Sequence, residues 1–574
     1  MIYSKYGESI NTRDCLSAYP RMLMQRDNYT CLNGIWQYQI TKKDEEPDDG
    51  KYQDILVPFA VGSLLSGTDS VLNPDEILWY RKKFIYHARN DKTILHFEAV
   101  DQTCVVFFNN VEVARHSGGY LPFSIDVTNY LQEENILVVA VVDKSNQGIC
   151  AYGKQKINGE KIWYKPTAGI WQTVWMEDVN DKHIENIKIT PLFDEGSVFI
   201  QLFGDFDQAV ITVRDNGEDV FKDIVKDKRI LLHFDKFKPW TCEDPFLYDV
   251  YVETQDDYIK SYFAMRKISK AKDKDGHMRF CLNNKPLFLT GLLDQGYISD
   301  GMYTYPSDEC MINELKLVKE MGFNMLRKHV KIECDRWYYH CDRLGILVMQ
   351  DMPNGGSKYN EDLIGYKGYL GFKYKDDNYK LFARDNEKGR KMFEKELFGM
   401  INHLYNHPCI FSWVIFNEGW GQFDAEKFTK KVYEHDSSRL IDSASGWFDQ
   451  GCGDFKSRHV YFTKYYHFND RNDRICLLSE FGGYAYLEYG HTKSNELFGY
   501  KKFKDKLKLD FAIRELYEKQ IIKAIPKGLS GCIYTQLSDV ETELNGLLTY
   551  DRKVLKINKR AIYKLNRKMI RMVK

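Results

Sequence analysis

One apolar stretch in the second half of the chain constrains the fold most strongly. From Cys409 to Phe416 every residue except Ser412 is apolar, and β-branched and aromatic side chains dominate the run. This composition predicts a strand buried on both faces, as in a parallel sheet. The run stops at Asn417 and Glu418, so Glu418 is expected at the carboxyl-terminal edge of the sheet, where α/β barrels collect their functional groups.

Taken alone, Glu418 leaves two alternatives open. Its carboxylate could serve a site, or it could cap the next helix or pair with an arginine. A second stretch, Ile475 to Tyr484, has the same form: a short apolar strand ends in a glutamate, Glu480, and two glycines follow. Two glutamates at the ends of two barrel strands can face each other across the mouth. Glycoside hydrolysis needs such a pair, and a separation of about 5–5.5 Å retains the anomeric configuration.

These motifs resemble those of a known family. Three motifs resemble glycoside hydrolase family 2. They are Asn406-His-Pro before the Cys409–Phe416 strand, Asn417-Glu-Gly-Trp-Gly-Gln at the end of that strand, and Ser479-Glu-Phe-Gly-Gly about sixty residues later. This family contains the retaining β-galactosidases and β-glucuronidases. The resemblance implies that Glu418 is the general acid/base on the fourth barrel strand and that Glu480 is the nucleophile on the seventh.

The resemblance also implies residues that bind the sugar. Asn417 is expected to hydrogen-bond the sugar 2-hydroxyl, Arg327 to steady the nucleophile, and Tyr461 to donate a hydrogen bond to it. Other predicted strand ends add candidates for the substrate site: Asp294, Gln295, His329, Asp351, Trp447 and Gln536. Each of these could equally form a structural hydrogen bond at the barrel rim.

The order of strand and helix patterns predicts a multidomain chain. Residues 33–179 alternate apolar and polar positions in short strands, which predicts a β-sandwich whose motifs resemble the jelly-roll sugar-binding domain of the family. A second all-β stretch has the size of an immunoglobulin-like sandwich. The remainder alternates strands with helices. We predict a jelly-roll β-sandwich at 1–181, an immunoglobulin-like β-sandwich at 182–267 and a catalytic (β/α)8 TIM barrel at 268–574.

The barrel prediction specifies its elements. Eight strands are predicted: Leu287–Leu293, Asn324–Arg327, Ile346–Gln350, Ile410–Asn417, Leu440–Ser443, His459–Tyr461, Cys476–Glu480 and Cys532–Leu537. Two helices have clear ends: Asp308–Met321 after the N-cap Ser307, and Glu333–Leu344 before Gly345. The irregular stretch from Pro353 to Asp385 is expected to be a lid or a substrate wall. Within the first sandwich, Trp163 and Tyr164 are the aromatic residues expected to face a ligand.

Composition excludes several function classes. Lys plus Arg (81) balances Asp plus Glu (82), so no net charge attracts nucleic acid or an acidic membrane surface. No apolar signal segment and no membrane-length apolar run occur, which predicts a cytoplasmic protein. The thirteen cysteines include no Cys-x-x-Cys pair, which favours reduced thiols. We predict no cofactor, no metal and a glycoside substrate as the partner, and a homo-oligomer is left open.

Two rival classes and the identity of the sugar remain to be weighed. A non-catalytic carbohydrate-binding protein is expected to have lost one glutamate, and an aldolase or metal-dependent hydrolase needs a Schiff-base lysine or a histidine cluster. Enzymes of the β-glucuronidase branch carry Asn-x-Lys after the last strand, whereas this chain has Asn545-x-Leu547. This favours a neutral sugar, with a β-galactoside first and an α-L-arabinopyranoside second. Lys553 could still supply a base for a β-glucuronide, and β-mannosidase activity is a further alternative.

Overall fold

The first sandwich is built from two main antiparallel sheets. In this computed structural model, which describes residues 2–467, 470, 472–492 and 496–573, one sheet has the order β3-β2-β4-β10-β7-β8 and the other β1-β12-β5-β9, while β6 pairs with β11. The strands are β1 (Tyr29–Cys31), β2 (Gly34–Lys42), β3 (Gln53–Val57), β4 (Glu76–Ile85), β5 (Lys92–Phe97), β6 (Val100–Asp101), β7 (Thr103–Phe108), β8 (Val111–Ser117), β9 (Phe123–Asp126), β10 (Glu134–Val142), β11 (Gly169–Ile170) and β12 (Val174–Val179). Alternate side chains of these strands fill one core between the sheets.

A smaller sandwich follows, with the sheet orders β13-β14-β17 and β16-β15-β18-β19. Its strands are β13 (Ile184–Leu192), β14 (Ser197–Gly204), β15 (Ala209–Asp215), β16 (Glu218–Val225), β17 (Arg229–His233), β18 (Tyr248–Glu253) and β19 (Tyr258–Phe263). It has its own apolar core. We keep 1–181, 182–267 and 268–574 as the proposed limits of the three domains.

The third part is a nearly closed barrel of eight parallel strands in the order β27-β26-β25-β24-β23-β32-β29-β28. The end strands β27 and β28 lie side by side, and Ser457 donates a hydrogen bond to Asp442 across the gap. The elements are β20 (Ile268–Lys272), β21 (Met278–Leu282), β22 (Lys285–Pro286), β23 (Leu289–Asp294), α1 (Asp308–Glu320), β24 (Met325–Lys328), α2 (Asp335–Leu344), β25 (Leu347–Asp351), α3 (Glu387–Leu404), β26 (Ile410–Asn417), α4 (Ala425–His435), β27 (Leu440–Ser445), β28 (Phe455–Val460), β29 (Ile475–Gly482), β30 (Tyr484–Tyr486), β31 (Lys501–Phe503), α5 (Lys506–Leu516), α6 (Ile522–Ala524), β32 (Leu529–Thr535) and α7 (Lys559–Arg571).

All eight predicted barrel strands are present, and the sixth shows the largest shift. It was expected at His459–Tyr461 but runs from Phe455 to Val460, because its polar residues alternate with buried ones and hide the apolar pattern. The α1 prediction is confirmed, and the Ser307 side chain accepts a hydrogen bond from the Cys310 N–H at 3.2 Å. Helix α2 begins two residues later than expected, at Asp335, and ends at Leu344 as predicted, with Gly345 in the left-handed conformation as its C-cap.

Two further predictions from the sequence concern the cysteines and membrane-spanning segments, and both can be examined in the described residues. All the cysteines lie within them, none of them forms a disulfide, and ten are buried. In the part of the chain that the structure describes, no helix is both long enough and apolar enough to cross a membrane.

A buried carboxylate, Asp342, fixes the start of the strand that carries Glu418. Its Oδ1 accepts from the Cys409 N–H at 2.8 Å, and its Oδ2 accepts from Tyr262 of β19 and from His407, both at 2.7 Å. Asp342 is fully buried, so these partners replace all of its hydration. One side chain thereby joins α2, the second sandwich and β26.

We expect Asp342→Ala to destabilise the protein by about 3 kcal/mol, because it leaves three buried donors without an acceptor. The melting temperature should fall by about 2–5 °C in a thermal unfolding experiment. The matched control is Glu426→Ala, since Glu426 is an exposed carboxylate on α4. A melting temperature unchanged relative to this control would show that the junction does not depend on Asp342.

Candidate active site

Glu418 lies directly after β26, at the carboxyl-terminal mouth of the barrel. Its side chain is 8% exposed, and its Oε1 lies 2.6 Å from Nδ1 of His459. Its backbone has a φ of +48°, in the left-handed region that residues other than glycine rarely adopt. Such strain is concentrated at functional sites, where the surrounding structure holds it in place.

Glu480 lies in β29 on the opposite side of the mouth and has a different set of partners. Its Oε1 accepts a hydrogen bond from Arg327 Nη1 at 3.1 Å, and its Oε2 accepts one from the Tyr461 hydroxyl. The Tyr461 ring stacks on Tyr500 at 3.8 Å between centroids, which fixes the direction of the hydroxyl. Glu480 therefore has two strong donors, whereas the Glu418 carboxyl group contacts, among the residues that the structure describes, the imidazole of His459 alone.

Arg327, fully buried in β24, joins these groups. Its Nε donates to both oxygens of Asp351 at 3.0 and 3.1 Å, and its Nη2 donates to Oδ1 of Asn417 at 2.7 Å. This contact leaves the Asn417 amide nitrogen pointing elsewhere. Nδ2 is buried and has no hydrogen-bond partner among the described residues, so it is free to donate to a bound molecule.

The two glutamates are close enough to act on one bond. One carboxylate oxygen of each and one ring nitrogen of His459 all lie within 4.8 Å of one another. Inverting glycosidases hold their carboxyl groups about 6.5–9.5 Å apart, so this spacing matches the retaining geometry. The same three groups could bracket a metal ion, but the fixed positive charge of Arg327, which contacts both Glu480 and His459, would repel a cation there.

Burial raises the pKa of both carboxyl groups. It raises the pKa of Glu418 to about 7, an effect that Lys154 and Arg327 oppose and Glu543 reinforces. Burial also raises the pKa of Glu480, although His459, Arg327 and the Tyr461 hydroxyl act against this. Because Glu480 has the stronger donors, we assign the ionised form to Glu480 and the proton to Glu418.

Sequence reasoning named His459 only as the start of a strand and missed its position. The imidazole lies between the glutamates, 2.6 Å from Glu418 and 3.4 Å from Oε2 of Glu480. Burial lowers the pKa of His459 to about 4, so the ring is neutral and can donate a hydrogen bond to Glu418. A histidine in a polar, alternating strand gave no signal that could separate it from a core histidine.

The other predicted rim residues fall into two groups. Asp294 and Asp351 are held in buried ion pairs, Asp294 with Lys328 at 2.7 Å and Asp351 with Arg327 at 3.0 Å, and Asp351 also lies within hydrogen-bond distance, 2.8 Å, of Nδ1 of His329. These carboxylates have structural partners. Gln295 and Gln536 hydrogen-bond each other at 2.8 Å, and the Gln295 Oε1 is buried without a partner in the described part of the chain.

His329 and Trp447 lie on two walls of the mouth. The His329 ring meets the edge of Trp420 at 5.9 Å, and the Trp447 ring lies 6.3 Å from that of His459. Trp447 and His459 also line a cavity of about 910 Å³, together with residues 368–373 of the predicted lid or wall segment. The segment thus borders a cavity beside the two glutamates.

The first sandwich contributes side chains to the same mouth. Trp163 packs on Trp420 at 5.1 Å between centroids, and the Tyr164 hydroxyl donates to Oε2 of Glu543. Both aromatic residues are thus buried at the junction with the barrel. Lys154, on the same loop, was not singled out from the sequence, because a lone lysine in a loop is most often a surface residue.

Comparison with protein families gives two matches along the chain. The family 2 glycosyl hydrolase TIM barrel domain matches residues 274–556, and the family 2 sugar binding domain matches residues 69–178. The first match contains both glutamates and every barrel strand. The second lies within the first sandwich.

Similar curated proteins carry two activities in their names. A β-galactosidase of Thermoanaerobacter pseudethanolicus is 27% identical over 63% of this chain and 48% of its own length. A putative β-glucuronidase of Formosa agariphila is 26% identical over 70% of this chain and 47% of its own length. The chain therefore spans about half the length of the curated relatives it matches.

Solved structures share the fold along almost the whole chain. A β-glucuronidase of an uncultured Clostridium species superposes with a TM-score of 0.74 at 17% identity, covering 96% of this chain and 99% of that one. The β-glucuronidase of Dictyoglomus thermophilum gives the same TM-score at 16% identity, covering 96% and 98%. With the matches of both family domains, the conclusion is that this chain belongs to glycoside hydrolase family 2.

Proposed function

We propose that this chain is a retaining exo-β-glycosidase that hydrolyses terminal sugars by double displacement. The observation that carries the proposal is the pair of buried glutamates within 4.8 Å, one with two strong donors and one with a single neutral imidazole. Two unlike carboxyl groups at this spacing are what the mechanism needs. A non-catalytic sugar-binding protein has no use for them in this arrangement.

In the first step, the Glu480 carboxylate attacks the anomeric carbon. The bond from this carbon to the leaving oxygen breaks, and that oxygen takes the proton of Glu418. Arg327 and Tyr461 lie on the two oxygens of Glu480 and orient it for attack. The unpaired Nδ2 of Asn417 is placed to donate to the sugar 2-hydroxyl, the role that family membership suggests.

In the second step, the deprotonated Glu418 takes a proton from water. The water oxygen then attacks the anomeric carbon and displaces Glu480, which restores the starting charges. His459 remains within 2.6 Å of Glu418 and stabilises its carboxylate form by donating a hydrogen bond. The configuration of the sugar is retained because two inversions occur.

We propose a neutral sugar, with a β-galactoside ahead of an α-L-arabinopyranoside. At the positions matching the uronate motif, Leu547 is buried and Asn545 is bonded to Gln536 and Glu543. Glu543 adds a negative charge to this region, and this charge would repel a sugar carboxylate.

The two lysines that follow this motif in the sequence are engaged elsewhere. Lys556 is buried in an ion pair with Asp539 at 2.7 Å, and Lys553 reaches Glu8 at 2.5 Å on the surface. Lys553 is therefore not placed to serve as the base that a β-glucuronide needs. This supports a neutral sugar over a β-glucuronide.

We expect Glu480→Gly to lose roughly 10⁴-fold or more of its activity toward nitrophenyl glycosides, because no group remains to form the glycosyl-enzyme. Added azide should restore turnover and give the α-configured glycosyl azide, identified by NMR. Glu418→Ala is the matched control, because azide then attacks the glycosyl-enzyme and gives the β-azide. A β-azide from Glu480→Gly, or near-normal activity without azide, removes Glu480 as the nucleophile.

We expect Glu418→Ala to slow alkyl glycosides by about 10²–10⁴-fold and dinitrophenyl glycosides by much less, because only the poorer leaving groups need a proton. In the unmodified protein, kcat/KM should fall as the pH rises through about 7, since the raised pKa keeps Glu418 protonated below that value. The variant should lack this fall. Equal losses for all leaving groups, or an unchanged pH profile, argue against the acid role.

For the sugar, we expect kcat/KM for nitrophenyl β-galactoside to exceed that for nitrophenyl β-glucuronide at least about tenfold, because Glu543 opposes a carboxylate. The α-galactoside serves as the control and should not be hydrolysed. A glucuronide value equal to or above the galactoside value would reject the neutral-sugar proposal.

A further inference from the structure

The loop between β10 and β11 carries a lysine into the mouth of the barrel. The N–H groups of Tyr152 and Gly153 both donate to the Asn354 carbonyl, at 2.8 and 3.1 Å. Gly153 has a φ of +60°, and a Cβ there would lie 2.7 Å from the Val330 carbonyl oxygen. Only glycine allows so close an approach to the barrel rim. The residue that follows is Lys154.

Among the described residues, the Lys154 ammonium is buried without an anionic partner. The residue is 5% exposed, and its Nζ lies 5.4 Å from the centre of the Tyr164 ring and 5.7 Å from that of Trp420. Throughout the described ranges, no carboxylate or carbonyl is bonded to this nitrogen. Burying an ammonium in this way is costly unless a bound molecule supplies the missing acceptor.

The other buried lysines show what a structural role requires. Lys328 pairs with Asp294 at 2.7 Å, Lys331 with Glu333 at 2.7 Å, and Lys556 with Asp539 at 2.7 Å. Each of these ammonium groups is balanced by a carboxylate of its own. Lys154 is the exception among the buried lysines of the described chain, so a purely structural role does not explain its burial.

The position of Lys154 connects it to the two glutamates. Its charge lowers the pKa of Glu418, after burial the largest effect on that group, and it also acts on His329 and His459. Its Nζ also lies over the Tyr164 ring, whose hydroxyl donates to Glu543. The ammonium therefore belongs to the surroundings of both Glu418 and Glu543.

We infer that Lys154 is a specificity-determining residue that donates a hydrogen bond to a hydroxyl oxygen of the sugar held between Glu418 and Glu480. The inference rests on the proposed glycosidase function. A hydroxyl suits this place better than a carboxylate, because it can accept from Lys154 without adding a negative charge to the site. A sugar carboxylate satisfies Lys154 but is repelled by the ionised Glu480 and by Glu543.

The test compares Lys154→Met with Lys156→Met. Lys156 lies two residues on, is about one third exposed and pairs with Glu361 at 3.0 Å, so its loss should change kcat/KM by less than about twofold. For nitrophenyl β-galactoside, Lys154→Met should lower kcat/KM by about 10–100-fold, the value of a charge-assisted hydrogen bond. Circular dichroism and the melting temperature check that the variant is folded, and Lys154→Arg should recover part of the activity.

Substrates lacking one hydroxyl each identify the contact. On the 2-, 3-, 4- or 6-deoxy galactoside that lacks the contacted hydroxyl, Lys154→Met and the unmodified protein should differ by only about twofold, as in a double-mutant cycle. An equal loss on all four analogues overturns the inference. A loss that is larger on the β-glucuronide or β-galacturonide than on the galactoside also overturns it, because the partner of Lys154 is then an anion.

Two further readouts separate this inference from the proposed function. Lys154→Met should move the high-pH fall of kcat/KM to higher pH, since a positive charge near Glu418 is removed, and an unmoved profile contradicts the placement of Lys154. If the unmodified protein hydrolyses no glycoside, the proposed function fails. Calorimetry with isopropyl β-thiogalactoside then tests Lys154 alone: binding at least tenfold weaker in Lys154→Met supports the inference, and equal binding or none in either protein overturns it.

Discussion

The arrangement of the site depends on the buried guanidinium of Arg327. From β24 it reaches Asp351 on β25, Asn417 on β26, His459 on β28 and Glu480 on β29. Burial opposes its charge, but the carboxylates of Asp351 and Glu480 more than compensate and raise the pKa of Arg327. A planar group with five fixed donors can hold several strand ends at defined angles, which a lysine cannot do. The nucleophile candidate and the amide of Asn417 thus share one support.

The difference between the two glutamates follows from what surrounds them. Both are buried, and burial favours the neutral form of both. Hydrogen bonds from Arg327 and Tyr461 stabilise the ionised form of Glu480. In the described part of the chain, the hydrogen-bond partner of Glu418 is the neutral imidazole of His459 alone. Because like charges this close resist simultaneous ionisation, the pair holds one proton most readily on Glu418. Identical side chains thereby become suited to opposite tasks.

The mouth of the barrel is completed by the first sandwich. A loop of that sandwich brings Lys154, Trp163 and Tyr164 to the rim, and Trp163 packs on Trp420 just after the Glu418 strand end. The barrel strands supply Arg327, Asn417 and Glu480. The loop adds hydrogen-bond donors and aromatic surface at the rim, where contacts that distinguish one sugar from another are expected. Domain packing therefore brings side chains of the first sandwich to the rim of the candidate site.

The sequence by itself determined the strand framework and the two glutamates, because both depend on local pattern. A run buried on both faces, ended by Glu and glycine, predicts a barrel strand and its rim residue without any knowledge of neighbours. The family motifs also placed Arg327, Asn417 and Tyr461, which the structure brings within hydrogen-bond distance of one another or of Glu480.

Tertiary structure decided what depends on contacts between distant parts of the chain. His459 looked like an ordinary strand residue, and its place between the glutamates follows only from how β28 packs beside β29. Asp294 and Asp351 were predicted as candidates for the substrate site, and the structure adds that each pairs with a buried cation, Lys328 or Arg327. Lys154 is 264 residues from Glu418 in sequence and reaches the mouth only because two domains pack together. Pairing, burial and missing partners are properties of three-dimensional neighbours, and no local pattern of residues encodes them.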